Sequence, residues 1–405
     1  MMRDWVTKKL EEVCDIERGG SPRPIDSFLT DAVDGINWIK IGDTKDVTKY
    51  IYRTEQKIKP EGAKRSRMVF EGDFILSNSM SFGRPYIMKT TGCIHDGWLV
   101  LRKPSVDQDY LYYVLGSDLV FNQFDRLAAG STVRNLNIGL VKGVEIPVPP
   151  LSEQRRIVGI IEEAFDGIAT AKANAEKNLQ NARALFESHL QSVFTQRGEG
   201  WVEKTLSELC DIKHGFAFDG EDFSSEVAEC NPLVITPGNF TEGCKLLFNK
   251  KNTKRFNGNI PSGFLFDIGD LVVVMTDLSS KMKILGKPAF VETDNVLHNQ
   301  RIGRVIFNND FIAKRFVYYF MMSEGFLKNI KESATGTMVK HTAPKRILSN
   351  VITFPHDKNM QLLIVSKLDV LNTETLHLEA IYQQKLAELD ALKKSLLDQA
   401  FTGAL

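Results

Sequence analysis

The stretch WVTKKLEEVCDIERG, Trp5 to Gly19, returns as WVEKTLSELCDIKHG from Trp201 to Gly215, 196 residues later, with Trp, Val, Lys, Leu, Glu, Cys, Asp, Ile and Gly at identical spacing. Such a repeat is read before any motif, because it decides how many folding units a chain holds. The correspondence continues outward. Gly42 matches Gly238, Gly72-Asp73 matches Gly269-Asp270, Gly83-Arg84-Pro85 matches Gly286-Lys287-Pro288, and His95 matches His298. Leu111-Tyr112-Tyr113 matches Val317-Tyr318-Tyr319, and the run Gly130 to Arg134 matches Gly336 to Lys340. Both copies end alike, with Leu190 and Val193-Phe194-Thr195 answering Leu397 and Ala400-Phe401-Thr402. The offset grows from 197 at Gly72 to 203 at Gly83, so inserted residues around Ser279 to Lys283 give the second copy a different surface.

Each copy opens with short apolar or β-branched runs punctuated by Gly, Pro, Asn and Asp, such as Ile36 to Ile41, Phe74 to Leu76 and Trp98 to Leu101, which read as strands. Leu111, Val114, Leu115, Phe121 and Phe124 then recur at helical spacing, as do Phe316, Tyr319, Phe320, Phe326 and Leu327. An Ile/Val-Pro segment (Ile146 to Pro150; Phe354-Pro355) leads each copy into a long helix without internal proline. The first starts at Leu151-Ser152-Glu153-Gln154 and runs to about Phe194, with Ser152 able to cap and Glu153 suited to the positive helix start.

Leu179, Ala182, Phe186, His189 and Val193 form one apolar stripe, and Tyr382, Leu386, Leu389, Leu392 and Leu396 another. A helix of about 40 residues is about 60 Å long, more than one such domain covers, so the stripes are expected to pack on each other. The short connection from Thr195 to Trp201 requires them to be antiparallel. The fold class is therefore α+β: two repeated strand-rich domains separated by two long helices that form an antiparallel coiled coil, pseudo-two-fold symmetric. Expected boundaries are 1–151 and 200–358 for the strand-rich domains, and 152–199 and 359–405 for the helical regions.

Hydrophobic residues make up 43% and charged residues 25% of the 405, the balance of a globular chain with large cores. No run of about 18 apolar residues occurs, so no membrane span is expected. The opening MMRDWVTKKL places acid and base where a signal peptide needs an apolar stretch, and a cytoplasmic location follows as an expectation. The five cysteines, Cys14, Cys93, Cys210, Cys230 and Cys244, include no C-x-x-C pair and read as small buried residues rather than a disulfide or zinc framework. Fifty-one basic residues balance 51 acidic ones, so any nucleic-acid surface must be local.

Pro149 to Val158 (PPLSEQRRIV) ahead of a long helix, and Leu389 to Leu405 at the other end, resemble the two helical regions of the specificity (S) subunits of type I restriction-modification systems. The resemblance spans the chain. The second copy departs from the Leu-Ser-Glu-Gln signature, keeping only Gln361 and Ile364-Val365. The resemblance implies two target-recognition domains and a non-catalytic subunit that binds double-stranded DNA. It also implies two methyltransferase (M) subunits and restriction/translocase (R) subunits as partners, with no cofactor, no metal and no membrane. A target of two unlike, inversely oriented half-sites with an unread gap is implied as well. Absence of a [DN]-P-P-[YFW] methyltransferase motif and of a phosphate-binding G-x-x-x-x-G-K-[ST] loop agrees. Two rival readings are an enzyme, a methyltransferase or nuclease with its own recognition domains, and a coiled-coil scaffold whose strand-rich domains bind protein.

Base edges are read mainly by Arg, Lys, Asn and Gln, while Lys, Arg and hydroxyl residues hold phosphates. On that chemistry the candidate DNA contacts of the first copy are Lys40, Arg65, Arg67, Asn78, Arg84, Ser131, Thr132, Arg134 and Asn135. Those of the second are Lys251, Lys254, Arg255, Lys281, Lys283, Lys287, Thr337, Lys340 and His341. Each has a bland alternative, since a charge run is commonly a solvated face and a Gly-rich loop commonly only a connection. Glu153, Gln154, Arg155 and Arg156 are the candidate partner contacts, and no residue is assigned a catalytic role. His95 and His298 lack an accompanying acid or nucleophile pattern and read as structural.

Overall fold

The computed structural model describes residues 5–78, 83–128, 136–195, 198–224 and 231–405. The chain divides into two compact units, residues 1–176 with 383–405, and residues 177–382.

In unit 1 the repeated opening segment forms the strand Val6–Lys9, which pairs antiparallel with Glu145–Val148. Two five-stranded sheets follow. One runs in the order Asp15–Arg18, Trp98–Arg102, Phe74–Ser77, Pro85–Met88, Tyr50–Ile51. The other runs Leu29–Thr30, Gln56–Ile58, Ile36–Ile39, Gly92–Ile94, Arg67–Val69, with its one parallel pairing between Ile36–Ile39 and Gly92–Ile94. Apolar residues on both faces of the central strands, Phe74, Ile75, Leu76 and Trp98 to Leu101 among them, are fully buried, as continuous rather than alternating apolar runs require.

Unit 2 repeats this order, with four strands in place of five in the first sheet. Trp201–Thr205 pairs with Val351–Pro355. Cys210–His214, Ile302–Phe307, Leu271–Val274 and Pro288–Phe290 form the counterpart of the first sheet. Phe223–Ser224, Arg255–Phe256, Leu233–Val234, Val296–Leu297 and Leu265–Phe266 form the counterpart of the second, again with its parallel pair third and fourth in order. Gly83 and Gly286 explain one recurring signature: at φ +74° and +78° both are left-handed, and a Cβ would press on Phe124 at 2.9 Å and on Ile330 at 2.8 Å.

The long helices are Leu151–Thr195 and Lys358–Thr402. In unit 1, Lys172 pairs with Asp390 at 2.7 Å, Lys393 lies over the Phe165 ring, and Arg156 donates to the Leu405 carbonyl, so the two helices run antiparallel. In unit 2, Arg183 pairs with Glu379 at 2.9 Å, and His189 and Val193 meet Ile364 and Lys367 around a cavity of about 170 Å³, again antiparallel. The stripes differ in detail from the expectation. His189 is exposed and the buried position belongs to Leu190; Leu392 is 46% exposed, and its neighbour Lys393 sets its ammonium over the Phe165 ring of the other helix.

The two helix starts use different chemistry. Pro150 offers its carbonyl to the Glu153 and Gln154 amides, so the first helix begins at Leu151, one residue before the expected Ser152 cap. In the second copy the Asp357 carboxylate accepts from the Asn359 amide and its carbonyl from Gln361, which supplies the cap that the missing signature does not.

Cys14 and Cys210 donate their thiols to the carbonyls of Leu10 and Leu206, and burial pushes both up to about 12. With Cys93 and Cys244 they are buried and free; Cys230 lies outside the described residues. Among the described residues no helix is long and apolar enough to cross a membrane, and no cluster of His, Cys, Asp and Glu could hold a metal ion.

Candidate nucleic-acid interface

Unit 2 presents a built edge. Gly336, at φ +96°, turns the chain so tightly that a Cβ would lie 2.0 Å from the Val339 carbonyl oxygen. The turn closes with reciprocal backbone hydrogen bonds between Thr335 and His341, at 3.0 and 2.9 Å. Lys340–His341 then pairs with Thr276–Asp277, and the Thr276 hydroxyl lies 3.1 Å from His341 Nδ1. The buried Asp277 carboxylate accepts from the Ser279 and Ile284 amides, which ties the inserted loop around Ser279 to Lys283 to the same edge. Thr337, Lys340, His341 and Lys281 are thereby brought together, with Lys281 and Thr337 exposed.

Two residues that sequence reasoning missed join them. Met338 is 81% exposed at the tip, and exposed Arg301 is fixed beside the pair by the hydrogen bond from the Met275 amide to its carbonyl. Nothing in the local pattern distinguishes either one.

The remaining candidates of this copy are placed differently. Lys283 and Lys287 fold back onto Glu242, the first at 2.6 Å from its carboxylate and the second donating to its carbonyl; the hydrogen bond from Lys283 holds Glu242 below the usual carboxylate range. Both are candidate DNA contacts that this surface contact with Glu242 holds in place, and Lys283 stays exposed. Arg255 belongs to the five-stranded sheet, Lys254 directly precedes its strand, and Lys251 lies in the turn before it. Lys251 is exposed, Lys254 lies over the Phe223 ring, and Arg255 is half-buried and donates to the Asn231 carbonyl.

In unit 1, Arg84 is exposed and stacks over Tyr86, and Arg65 is exposed and stacks over Phe28. Arg67 pairs with Glu17 at 3.3 Å, and Glu17 also holds Arg102 at 2.6 Å. Lys40 is half-buried, 3.9 Å from Glu55. Asn78 is corrected: it is 1% exposed and its Nδ2 donates to the Asp96 carbonyl, so it serves the fold rather than a groove. Ser131, Thr132, Arg134 and Asn135 lie outside the described residues.

The two histidines are structural. His95 lies 6.2 Å from the Trp38 and Trp98 rings and is held below its ordinary value by burial. His298 is 1% exposed, its Nε2 donates to the Ile302 carbonyl at 2.9 Å, and burial lowers its pKa to about 4, with Arg304, Lys213 and His214 adding to the depression. A depressed folded-state value makes the unfolded chain the stronger proton binder below its ordinary value near pH 6.5, so the stability that neutral His298 supports is complete above that and is lost toward pH 4. Comparison of urea unfolding of unit 2 at pH 7 and 4.5 is expected to show a loss of roughly 2–3 kcal/mol in the wild type that is missing from His298→Gln. Equal slopes would reject this account.

At the start of the first long helix, Glu153 and Arg156 pair with each other at 2.7 and 2.9 Å, and Arg155 is exposed, its guanidinium 3.8 Å from Asp107. Gln154 corrects the expected partner contact. It is 3% exposed, its Oε1 accepts from the Asp107 amide at 2.7 Å, and its Nε2 donates to the Pro149 carbonyl at 2.8 Å. Gln361 repeats this in unit 2 with the Ala313 amide and the Pro355 carbonyl, both at 2.8 Å, and is fully buried. The shared glutamine is a lock that fastens helix, strand end and neighbouring helix start together.

The family model for the type I restriction modification DNA specificity domain matches residues 2–180 and again 198–389. The type I restriction enzyme MjaVIII specificity subunit of Methanocaldococcus jannaschii is 23% identical over 354 residues, covering 84% of this chain and 80% of the relative. The EcoBI specificity subunit of Escherichia coli is 24% identical over 241 residues, 58% of this chain and 44% of its own length. Among solved structures, a chain from work on complex assembly and conformational transition of the type I restriction-modification system superposes with a TM-score of 0.80 at 18% identity over the whole of both chains. The HsdS subunit of Thermoanaerobacter tengcongensis gives 0.61 at 19% identity, covering 99% of this chain and 97% of that one. With both halves matched and the same sheet order in each, the chain belongs to the type I restriction-modification DNA specificity family.

Proposed function

We propose that this chain reads a two-part double-stranded DNA target, one half-site per recognition domain, for two methyltransferase subunits and for restriction/translocase subunits that join them, and catalyses no step itself. The recognition domains are assigned to 1–151 and 200–358 and the helical regions to 152–199 and 359–405. The observation that carries the reading is the recurrence of one sheet order with a changed edge: the domain is the same, and the inserted residues around Ser279 to Lys283 have no match in unit 1. Half-sites read by such a pair are unlike in sequence.

Neutral overall charge makes salt dependence the discriminating measurement. Phosphate contacts release counterions, so affinity of the assembled complex for duplex should fall by about a thousandfold or more between roughly 50 and 200 mM salt if six or more phosphates are held. Flat salt dependence would favour a protein-binding scaffold instead.

Arg155 is the cleaner probe of assembly, because charge reversal at Arg156 also breaks its pair with Glu153. Arg155→Glu is expected to weaken association with the methyltransferase about tenfold, measured by titration calorimetry, and to leave the methylated sequence as it was. A changed sequence with intact assembly would overturn the role given to this helix start.

A further inference from the structure

Met338 stands at the tip of a hairpin held on every side: by Gly336, by the Thr335–His341 hydrogen bonds, by the strand pair with Thr276–Asp277, and by the donation from Arg346 Nη1 to the Thr335 hydroxyl at 3.3 Å. A large apolar side chain that is 81% exposed on so fixed a platform is not waiting to be buried by its own domain. Its neighbours are Thr337 and Lys340 on the same turn, while Lys281 and the 59% exposed Leu278 lie on the loop tied to it through Asp277. The surroundings are basic and hydroxylic, complementary to a phosphate-lined groove. Within the major groove, the apolar feature that a base pair projects is the C5-methyl group of thymine.

We propose that Met338 is the apolar base contact of the second half-site, resting on the methyl group of a thymine in the major groove while Lys340 and Thr337 hold the flanking phosphates. The proposal rests on the DNA-reading function above. Methionine suits this task because its unbranched thioether adapts to the position of the methyl group without opening the base stack.

The test uses the full chain assembled with its methyltransferase. Duplexes carry the target returned by methylation mapping, with each thymine of the second half-site replaced in turn by uracil, which lacks only the methyl. At one position uracil should weaken wild-type binding about fourfold, the worth of one buried methyl group. Met338→Ala should bind the thymine duplex about tenfold more weakly and lose nothing further on replacement by uracil, whereas Met338→Leu should keep the thymine preference. Uracil duplexes that all bind like the parent, a half-site with no A·T pair, or a Met338→Ala complex that keeps the full uracil penalty would overturn the contact while DNA reading stands. A wild-type complex with no salt-dependent duplex binding would overturn both.

Discussion

Gln361→Leu is expected to loosen unit 2 by about 3 kcal/mol or more, with no matching change in unit 1. The leucine keeps the volume but strands the Ala313 amide, the Pro355 carbonyl and the Phe311 carbonyl in a site where Gln361 has no exposed surface. Each buried polar group left without a partner costs about 1–3 kcal/mol. Ala313 precedes the helix Lys314–Met322, so the loss falls on a helix start whose amide has no helical partner of its own. Hydrogen exchange should locate it: amides from 311 to 322 exchange about a hundredfold faster, while those from 107 to 115 keep their protection. Gln154→Leu should give the mirror result. Leu362→Ala, at a half-exposed neighbouring position, should stay within about 0.5 kcal/mol of wild type. Unchanged protection in both glutamine variants would show that the lock contributes nothing.

That glutamine also marks where sequence reading reaches its limit. Gln154 and Gln361 are visible as the one signature residue that both helix starts share, but their role is set by backbone groups 47 and 48 residues away. A polar residue in a charged run reads as surface until the fold shows what lies behind it. The repeat, both long helices and their antiparallel sense were legible because periodicity, proline placement and connection length are local properties. Sheet order was not, since strands of two or three residues such as Leu233–Val234 carry too little pattern to announce their partners.

The basic candidates separated for the same reason. Lys281 and Lys283 look alike in sequence; only the position of Glu242, 41 residues upstream, tethers the second, while the first is exposed. The ion pairs at the base of each recognition domain show how the repeats diverge while keeping a function. In unit 1, Lys49 bridges Asp109 at 2.7 Å and Glu162 at 3.3 Å on the long helix. In unit 2 the arginine sits at the place of Asp109 itself, and Arg315 meets Asp369, the counterpart of Glu162, at 2.7 Å. Position-by-position comparison of charges misses an equivalence that the geometry preserves.

Exchange of residues 20 to 145 for the corresponding part of a relative is expected to replace the first half-site and leave the second as it was. The exchanged segment carries most of the core of the first recognition domain, including Ile39, Phe74, Trp98, Leu101 and Tyr110, while unit 2 encloses a cluster of its own that holds Val273, Tyr319 and Phe354. The junctions rest mainly on backbone. Val6–Lys9 meets Glu145–Val148 through strand pairing, and Gln154 grips an amide and a carbonyl, groups that any donor sequence supplies. Side-chain conditions remain as well: the host keeps Glu162, which meets Lys49, and Phe401 and Phe165, which meet Tyr110 and Tyr113 of the exchanged part. Glu17 stays with the host and faces Arg67 and Arg102 in the exchanged part, so the donor must place a base at the position of Arg102 or strand a half-buried carboxylate. Where that holds, each mismatched base pair of the old half-site costs about 1–3 kcal/mol, roughly additively, which removes it from the set of methylated sites. Genome-wide methylation mapping in cells carrying the hybrid and its methyltransferase reads the result directly: a new first half-site joined to the original second one. Should both half-sites change, or both vanish from a complex that still assembles, the domains do not read independently.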